Sequence, residues 1–144
     1  MNDELCLLDT NLLVYAYDVS EGKKHRVCKR LVDACWSLKK EFAISLQNLS
    51  EFYVIVTEKI ENPLSAEIAG GIVQDIIEFQ GWKKTNFDAH TILDAIKISA
   101  EHSIHYWDAL LAATMREHQV QHIYTEDGGF RKIPWLTVIN PMKQ

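Results

Sequence analysis

Glu4-Leu5-Cys6-Leu7-Leu8-Asp9-Thr10-Asn11 decides the reading of this chain. Residues 5–8 form a short apolar run bounded by charge, the pattern of a central strand covered on both faces. The run stops at Asp9, and Leu12, Leu13, Tyr15, Ala16 and Tyr17 resume with a helical rhythm. Asp9 is therefore expected at the carboxyl end of a buried strand, in the crossover where open α/β sheets gather their ligands. Either Thr10 or Asn11 is able to cap the helix that follows.

Outward from this stretch, helices and short apolar runs alternate. Residues 25–38 carry Val27, Cys28, Leu31, Val32, Cys35, Trp36 and Leu38 at three- and four-residue steps, which is an amphipathic helix. Residues 42–46 read as the second strand. A helix starting at Gln47 or Asn48 then runs to Asn62-Pro63, where proline restricts its predecessor. Residues 65–79 form the next helix, in which Gly70-Gly71 lowers propensity and suggests close packing. A weak strand at 82–86 precedes a helix over 88–102, with Ile92, Leu93, Ile96, Ser99 and Ala100 assigned inward. Another helix covers 106–117, and short strands follow at 122–125 and 135–139. Strands separated by helical crossovers make a parallel sheet with helices on both faces.

The chain has 144 residues, 47% apolar and 24% charged, which fits one globular domain over residues 1–144. Its formal net charge of -5 argues against a broad basic nucleic-acid coat, although a cation held by acids would change the local field. Cys6, Cys28 and Cys35 form no CxxC pair and read as reduced core thiols of a cytoplasmic protein. No signal peptide or membrane span is visible. HExxH, GxSxG, GxGxxG and GxxxxGK[ST] are all missing, which removes the usual zinc, serine-hydrolase and nucleotide-cofactor readings.

Four acids stand out. Asp9 ends the first strand, and Glu51 lies one helical turn beyond the second. Asp108 is the one charge in the apolar segment Tyr106-Trp107-Asp108-Ala109-Leu110-Leu111-Ala112-Ala113-Thr114-Met115. Burying an unpaired carboxylate in such a helix is costly. Asp127 follows the strand at 122–125. Taken singly, each has a structural explanation: a cap for Asp9, first-turn dipole compensation for Glu51 (beside an Asn48 or Ser50 cap) and Asp108, and a turn before Gly128 for Asp127. Taken together, all four fall at carboxyl ends of parallel strands or in adjoining helix turns. Such carboxylates suit a hard divalent cation, Mg²⁺ or Mn²⁺, in phosphodiester hydrolysis. Thr10, Asn11 and Thr125 stand beside them as orienting groups, and Ser45 is able to act likewise. Asp94 reads as a surface acid. His102 and His105 flank a turn near Asp108, and Lys23-Lys24, Arg26, Arg116 and Arg131-Lys132 are the basic candidates for phosphate contacts.

The blocks Leu7-Leu8-Asp9-Thr10-Asn11, Ser45-Leu46-Gln47-Asn48-Leu49-Ser50-Glu51-Phe52, Trp107-Asp108-Ala109-Leu110-Leu111-Ala112-Ala113 and Thr125-Glu126-Asp127 together resemble the PIN-domain ribonucleases. The likeness is strongest to the VapC toxins of bacterial toxin–antitoxin pairs. The resemblance implies a three-layer α/β/α sandwich around a mostly parallel sheet and a Mg²⁺- or Mn²⁺-dependent endoribonuclease. It implies Asp9, Glu51, Asp108 and Asp127 as catalytic metal ligands, with Asn11 and Thr125 as polar neighbours. It also implies an antitoxin that covers the acidic pocket, and commonly a homodimer. Two residues past Asp127, where the family often has another aspartate, this chain has Gly129. Tyr15, Tyr17, Trp36 and Leu38 provide more apolar surface than one face of a sheet needs, to be packed into the core or covered by an antitoxin or a second copy of the chain. A DNA-directed metal nuclease and a non-catalytic binding or assembly module are the competing readings.

Overall fold

The computed structural model describes residues 4–143. Its strands are β1 (Cys6–Leu8), β2 (Phe42–Ser45), β3 (Trp82–Thr85), β4 (His122–Tyr124) and β5 (Thr137–Ile139). Its helices are α1 (Thr10–Tyr17), α2 (Lys23–Trp36), α3 (Leu46–Glu58), α4 (Ala66–Glu78), α5 (Ala89–His102) and α6 (Tyr106–Glu117). Every strand pairing is parallel, and the sheet order is β3-β2-β1-β4-β5. The chain builds outward from β1 to β3, then returns to the other side of β1. The order therefore reverses between β1 and β4, and such a reversal opens a crevice beyond the carboxyl ends of the two strands.

Alternation along the strands separates two cores. Cys6, Leu8, Phe42 and Ile44 face a layer that includes Leu12 and Leu13 of α1, Val32 of α2, Phe52 of α3 and Ile76 of α4. Leu7, Ala43 and Ile123 face the opposite layer, where Ala95 and Ile98 of α5 meet Ala109 to Ala113 of α6. Period-two side-chain alternation in a sheet covered on both sides produces this division. The result is an α/β/α sandwich. Burial pushes the thiols of Cys28 and Cys35 up to about 12 and about 11, so neither is a ready nucleophile at neutral pH.

Several expectations are corrected by the packing. On α5 the inward stripe is Thr91, Ala95 and Ile98, while Leu93 and Ile96 are 57% and 53% exposed. Ala100 is exposed too. The small Ala95 permits close approach to the alanine-rich α6, and that contact decides which stripe turns inward. Gly70-Gly71 marks no tight contact, because a Cβ at either position would meet nothing within 4 Å. The first long helix ends at Trp36, and Leu38 adopts φ 61° in the turn beyond it, 60% exposed. Tyr15, Tyr17 and Trp36 pack against the core while staying partly exposed, and Tyr17 and Trp36 also line an open cavity of about 450 Å³ with Ile72 and Phe79. Trp36 lies 5.1 Å from Phe79 and 6.0 Å from Trp82 between ring centroids. Exposed apolar side chains also meet between α3 and α4, in a groove of about 570 Å³ lined by Leu46, Leu49, Tyr53, Val54, Val73 and Ile77.

Candidate active site

Asp9 continues the sheet one residue past β1, its N–H donating to the Tyr124 carbonyl at 3.0 Å. Its side chain then turns back. Oδ1 accepts from the Thr10 N–H at 2.8 Å, which makes Asp9 itself, rather than Thr10 or Asn11, the cap of α1. Oδ2 accepts from the Thr125 hydroxyl at 2.7 Å, joining the ends of β1 and β4 across the crevice. Burial pushes the Asp9 carboxyl above its ordinary range. The Thr125 and Thr10 hydrogen bonds oppose that rise, and the charges of Glu51 and Asp127 add to it.

Glu51 is reached through a buried chain of hydrogen bonds. Ser45 caps α3, correcting the expected Asn48 or Ser50 cap. Its hydroxyl accepts from the Asn48 N–H at 2.9 Å, and Asn48 Oδ1 accepts from the Ser45 N–H at 3.3 Å. The Asn48 amide Nδ2, still free to donate, gives a 2.8 Å bond to Thr10 Oγ1. Thr10 in turn donates to Glu51 Oε1 at 2.9 Å. One reciprocal helix cap thus orients a carboxylate on the second turn of the same helix.

Asp108 occupies the first turn of α6 and is half-buried. Desolvation pushes its carboxyl up to about 6, with further contributions from Asp127 and Asp9; the charge of His105 acts the other way. Asp127 sits in a tight turn: its N–H donates to Thr125 Oγ1 at 3.0 Å, and its Oδ1 accepts from the Gly129 N–H at 2.8 Å. A Cβ at position 129 would come to 3.0 Å from that same oxygen, so glycine leaves the carboxylate room to hold this turn. The adjacent Glu126 accepts from the Tyr15 hydroxyl at 2.5 Å and pairs with Lys24 at 2.9 Å, fastening the turn to α1 and α2.

Asp9, Glu51, Asp108 and Asp127 line one cavity of about 170 Å³, with Thr10, Asn11, Gln47 and Trp107 in its wall. Thr125 meets the group through Asp9, whereas Ser45 is committed to its cap. Asp94 and His102 line neither this cavity nor the one beside it, where His105 and Lys132 are found. Of the other basic candidates, Lys24 is taken by Glu126, and Arg116 stacks over Trp135 at 5.0 Å. Gln47, Asn48 and Trp107 were not singled out from the sequence as site residues. The signal available in the sequence is a pair of amides in the first turn of the helix that carries Glu51, and a tryptophan directly before Asp108.

The donor chemistry of the cavity fits a hard divalent cation. Its acids offer only oxygen, and no lysine or arginine stands among the described residues that line it. Gln47 Oε1 is buried without a hydrogen-bond partner, a free acceptor in the same wall. Among the described residues, no three His, Cys, Asp or Glu side chains already stand at ligand spacing. The four acids thus share one cavity without forming a ready-made ligand set among the described residues.

The model of the PIN domain matches residues 6–136, a span that includes all four acids. No curated protein matches the chain by sequence alone. Among solved structures, the fold is similar to Mycobacterium tuberculosis VapC20, described as a sarcin–ricin-loop-cleaving toxin. That likeness has a TM-score of 0.68 and 19% identity, covering 90% of this chain and 95% of that one. It is also similar to a toxin–antitoxin complex from Klebsiella pneumoniae, with TM-score 0.65, 21% identity, and coverage of 94% and 97%. Rickettsia felis VapBC2, bound to a DNA fragment from its promoter, gives TM-score 0.64, 20% identity, and coverage of 94% and 98%. With a matched span running from the first residue of β1 to the loop before β5, this chain belongs to the PIN-domain family.

Proposed function

We propose that the chain is a Mg²⁺- or Mn²⁺-dependent endoribonuclease and the toxin of a toxin–antitoxin pair. The observation that carries this reading is the meeting of four acids, from four separate segments, in one cavity at the sheet's reversal point. Asp9 and Asp108 would hold the ion, and Glu51 and Asp127 would bind it directly or through water. When bound, such an ion activates water and offsets charge on phosphoryl oxygens. The chain's own part is placement. Thr125 fixes Asp9, Thr10 fixes Glu51, and the Gly129 N–H holds one oxygen of Asp127. Single-stranded or looped RNA is the substrate class whose backbone can bend into so small an opening.

Purified protein should cleave members of an RNA panel in Mn²⁺ or Mg²⁺ and none in EDTA. A deoxyribose at the scissile nucleotide separates the alternatives: cleavage at equal rate on an all-DNA strand would make this a DNA-directed nuclease. Tight RNA binding without any cation-dependent cleavage would favour a non-catalytic module.

The α3–α4 groove is the surface for the antitoxin in this reading. It is apolar, and it lies along the helix that also carries Glu51, so a bound segment would end beside the acids. Val54 is 41% and Ile77 49% exposed there. V54D and I77D should each weaken antitoxin binding at least tenfold while leaving RNA cleavage intact. Unchanged binding would place the partner elsewhere.

A further inference from the structure

Trp107 is the part of the acid cavity that ion chemistry does not use. Its indole is 63% exposed, although the seven residues Ala109 to Met115 on the same helix are buried. The ring is braced edge-on against Tyr106, centroids 5.3 Å apart and planes at 72°. Its backbone is held as well, the Trp107 carbonyl accepting from Gln47 Nε2 at 3.3 Å. A large flat apolar surface is thus presented in a fixed orientation at the edge of an otherwise polar cavity.

On the other side of Asp108 and Asp127 lies a second cavity, of about 410 Å³, and these two aspartates belong to both walls. Its charge is different. Lys132 and His105 line it, and the Lys132 ammonium donates to the Ser103 carbonyl at 3.2 Å. Among the described residues, no carboxylate lies within ion-pair distance of Lys132. Across a common acidic wall, an exposed aromatic therefore stands opposite an unpaired cation.

Resting on the nuclease reading above, we propose that single-stranded RNA crosses the Asp108–Asp127 wall with one base stacked on Trp107 and a neighbouring phosphate held by Lys132. The chemistry divides naturally. Acids repel phosphates until a cation intervenes, so the strand needs anchors on either side of them. A base is neutral and needs no counter-charge to lie on an indole, and every base has a face to offer. The phosphate takes the lysine. A duplex hides its base faces in its own stack, so this anchor selects unpaired nucleotides. The apolar α3–α4 groove shares no lining residue with the Trp107 cavity, which separates this aromatic from the surface offered to a protein partner.

The test is an abasic walk. Dissociation constants are measured by fluorescence polarisation for a labelled RNA octamer and for versions with one base removed at each position in turn. Ca²⁺ replaces Mg²⁺, and strand integrity is checked on a gel. Wild type should lose about 5- to 100-fold at one position of the walk. W107L should show the same loss on the intact strand and no further loss at that position, while W107F retains most of the binding. K132Q should weaken all strands alike and reduce the slope of log K against log salt by about 0.7. Unchanged binding by W107L, or independent losses from W107L and the abasic site, overturns the proposal. So does a W107L effect confined to oligomeric state. Cleavage by wild type in Mg²⁺ or Mn²⁺ is scored separately. A strand that shows the coupling but is never cut upholds the stacking site and sinks the nuclease reading.

Discussion

Asp108→Asn should slow RNA cleavage by about two to three orders of magnitude and, in the metal-free protein, raise the melting temperature. The activity loss follows from geometry: Asp108 borders both cavities and sits against Asp127, with Asp9 near enough to raise its proton affinity. Removing one charged oxygen from such a set should cost about 10²–10³-fold in kcat. The stability gain follows from the proton. The Asp108 carboxyl is pushed from its ordinary 3.8 up to about 6, so the folded state holds that proton more tightly than the unfolded chain. The penalty is absent below the ordinary value, grows through the window between 3.8 and about 6, and is complete above it. Metal-free wild type should therefore lose stability as pH rises through that window. Discounted for the partial exposure of Asp108, the effect is roughly 1–2 kcal/mol, or roughly 3–8 °C in Tm. Asn carries no such charge, so the variant should lose the Asp108 share of this pH dependence and keep the share due to the buried Asp9. Mn²⁺ at pH 7.5 should raise the wild-type Tm and leave the variant's nearly unchanged. Scanning calorimetry across pH 4–8 with and without Mn²⁺ reads all of this. A variant that cleaves normally, or one destabilised at pH 7.5, would remove Asp108 from the proposed role.

The sequence was most informative where one physical demand dominated. Residues 5–8 had to be covered on both faces, and that alone placed Asp9 at a strand end in the centre of the sheet. Asp108 was conspicuous because burial of an isolated charge is expensive, and the structure does surround it with other acids. Asp9 shows why weighing a cap against a site role was the wrong contrast: one oxygen caps α1 while the other meets Thr125. Elsewhere two local patterns compete on equal terms. On α5, Leu93 and Ile96 make as good a stripe as Ala95 and Ile98, and only the approach of α6 decides between them. Capping of α3 was misplaced because Ser45 reads equally well as the last strand residue and as the first helix cap, and it is both. No helix among the described residues is long and apolar enough to cross a bilayer.

Asn48→Ala should produce the second large effect, on stability first and on catalysis through it. Asn48 is 1% exposed, and its side chain makes two bonds at once, accepting from the Ser45 N–H and donating to Thr10 Oγ1. Alanine breaks half of the α3 cap, leaving the buried Ser45 N–H without its acceptor and the buried Thr10 oxygen without the donor from Asn48. Each unsatisfied group costs about 1–3 kcal/mol, so a loss of roughly 2–4 kcal/mol in urea unfolding is expected. Thr10 then keeps only its bond to Glu51 and loses the Asn48 donor that holds its oxygen from the other side. Kinetics at a temperature where the variant is still folded should show reduced kcat with an RNA KM close to wild type, since neither Asn48 nor Thr10 touches the proposed strand anchors. Thr10→Val is the matching change from the other end, removing the acceptor for Asn48 and the donor to Glu51 together. Because both substitutions break the same chain of bonds, the double variant should lose much less than the two single losses added, by about 1 kcal/mol or more. Strict additivity would mean that the cap and the carboxylate are independent, and that Glu51 is oriented by something other than the buried asparagine. The expected coupling is what the geometry requires: Asn48 is satisfied only while Thr10 accepts from it, and an acceptor so engaged has its one proton left for Glu51.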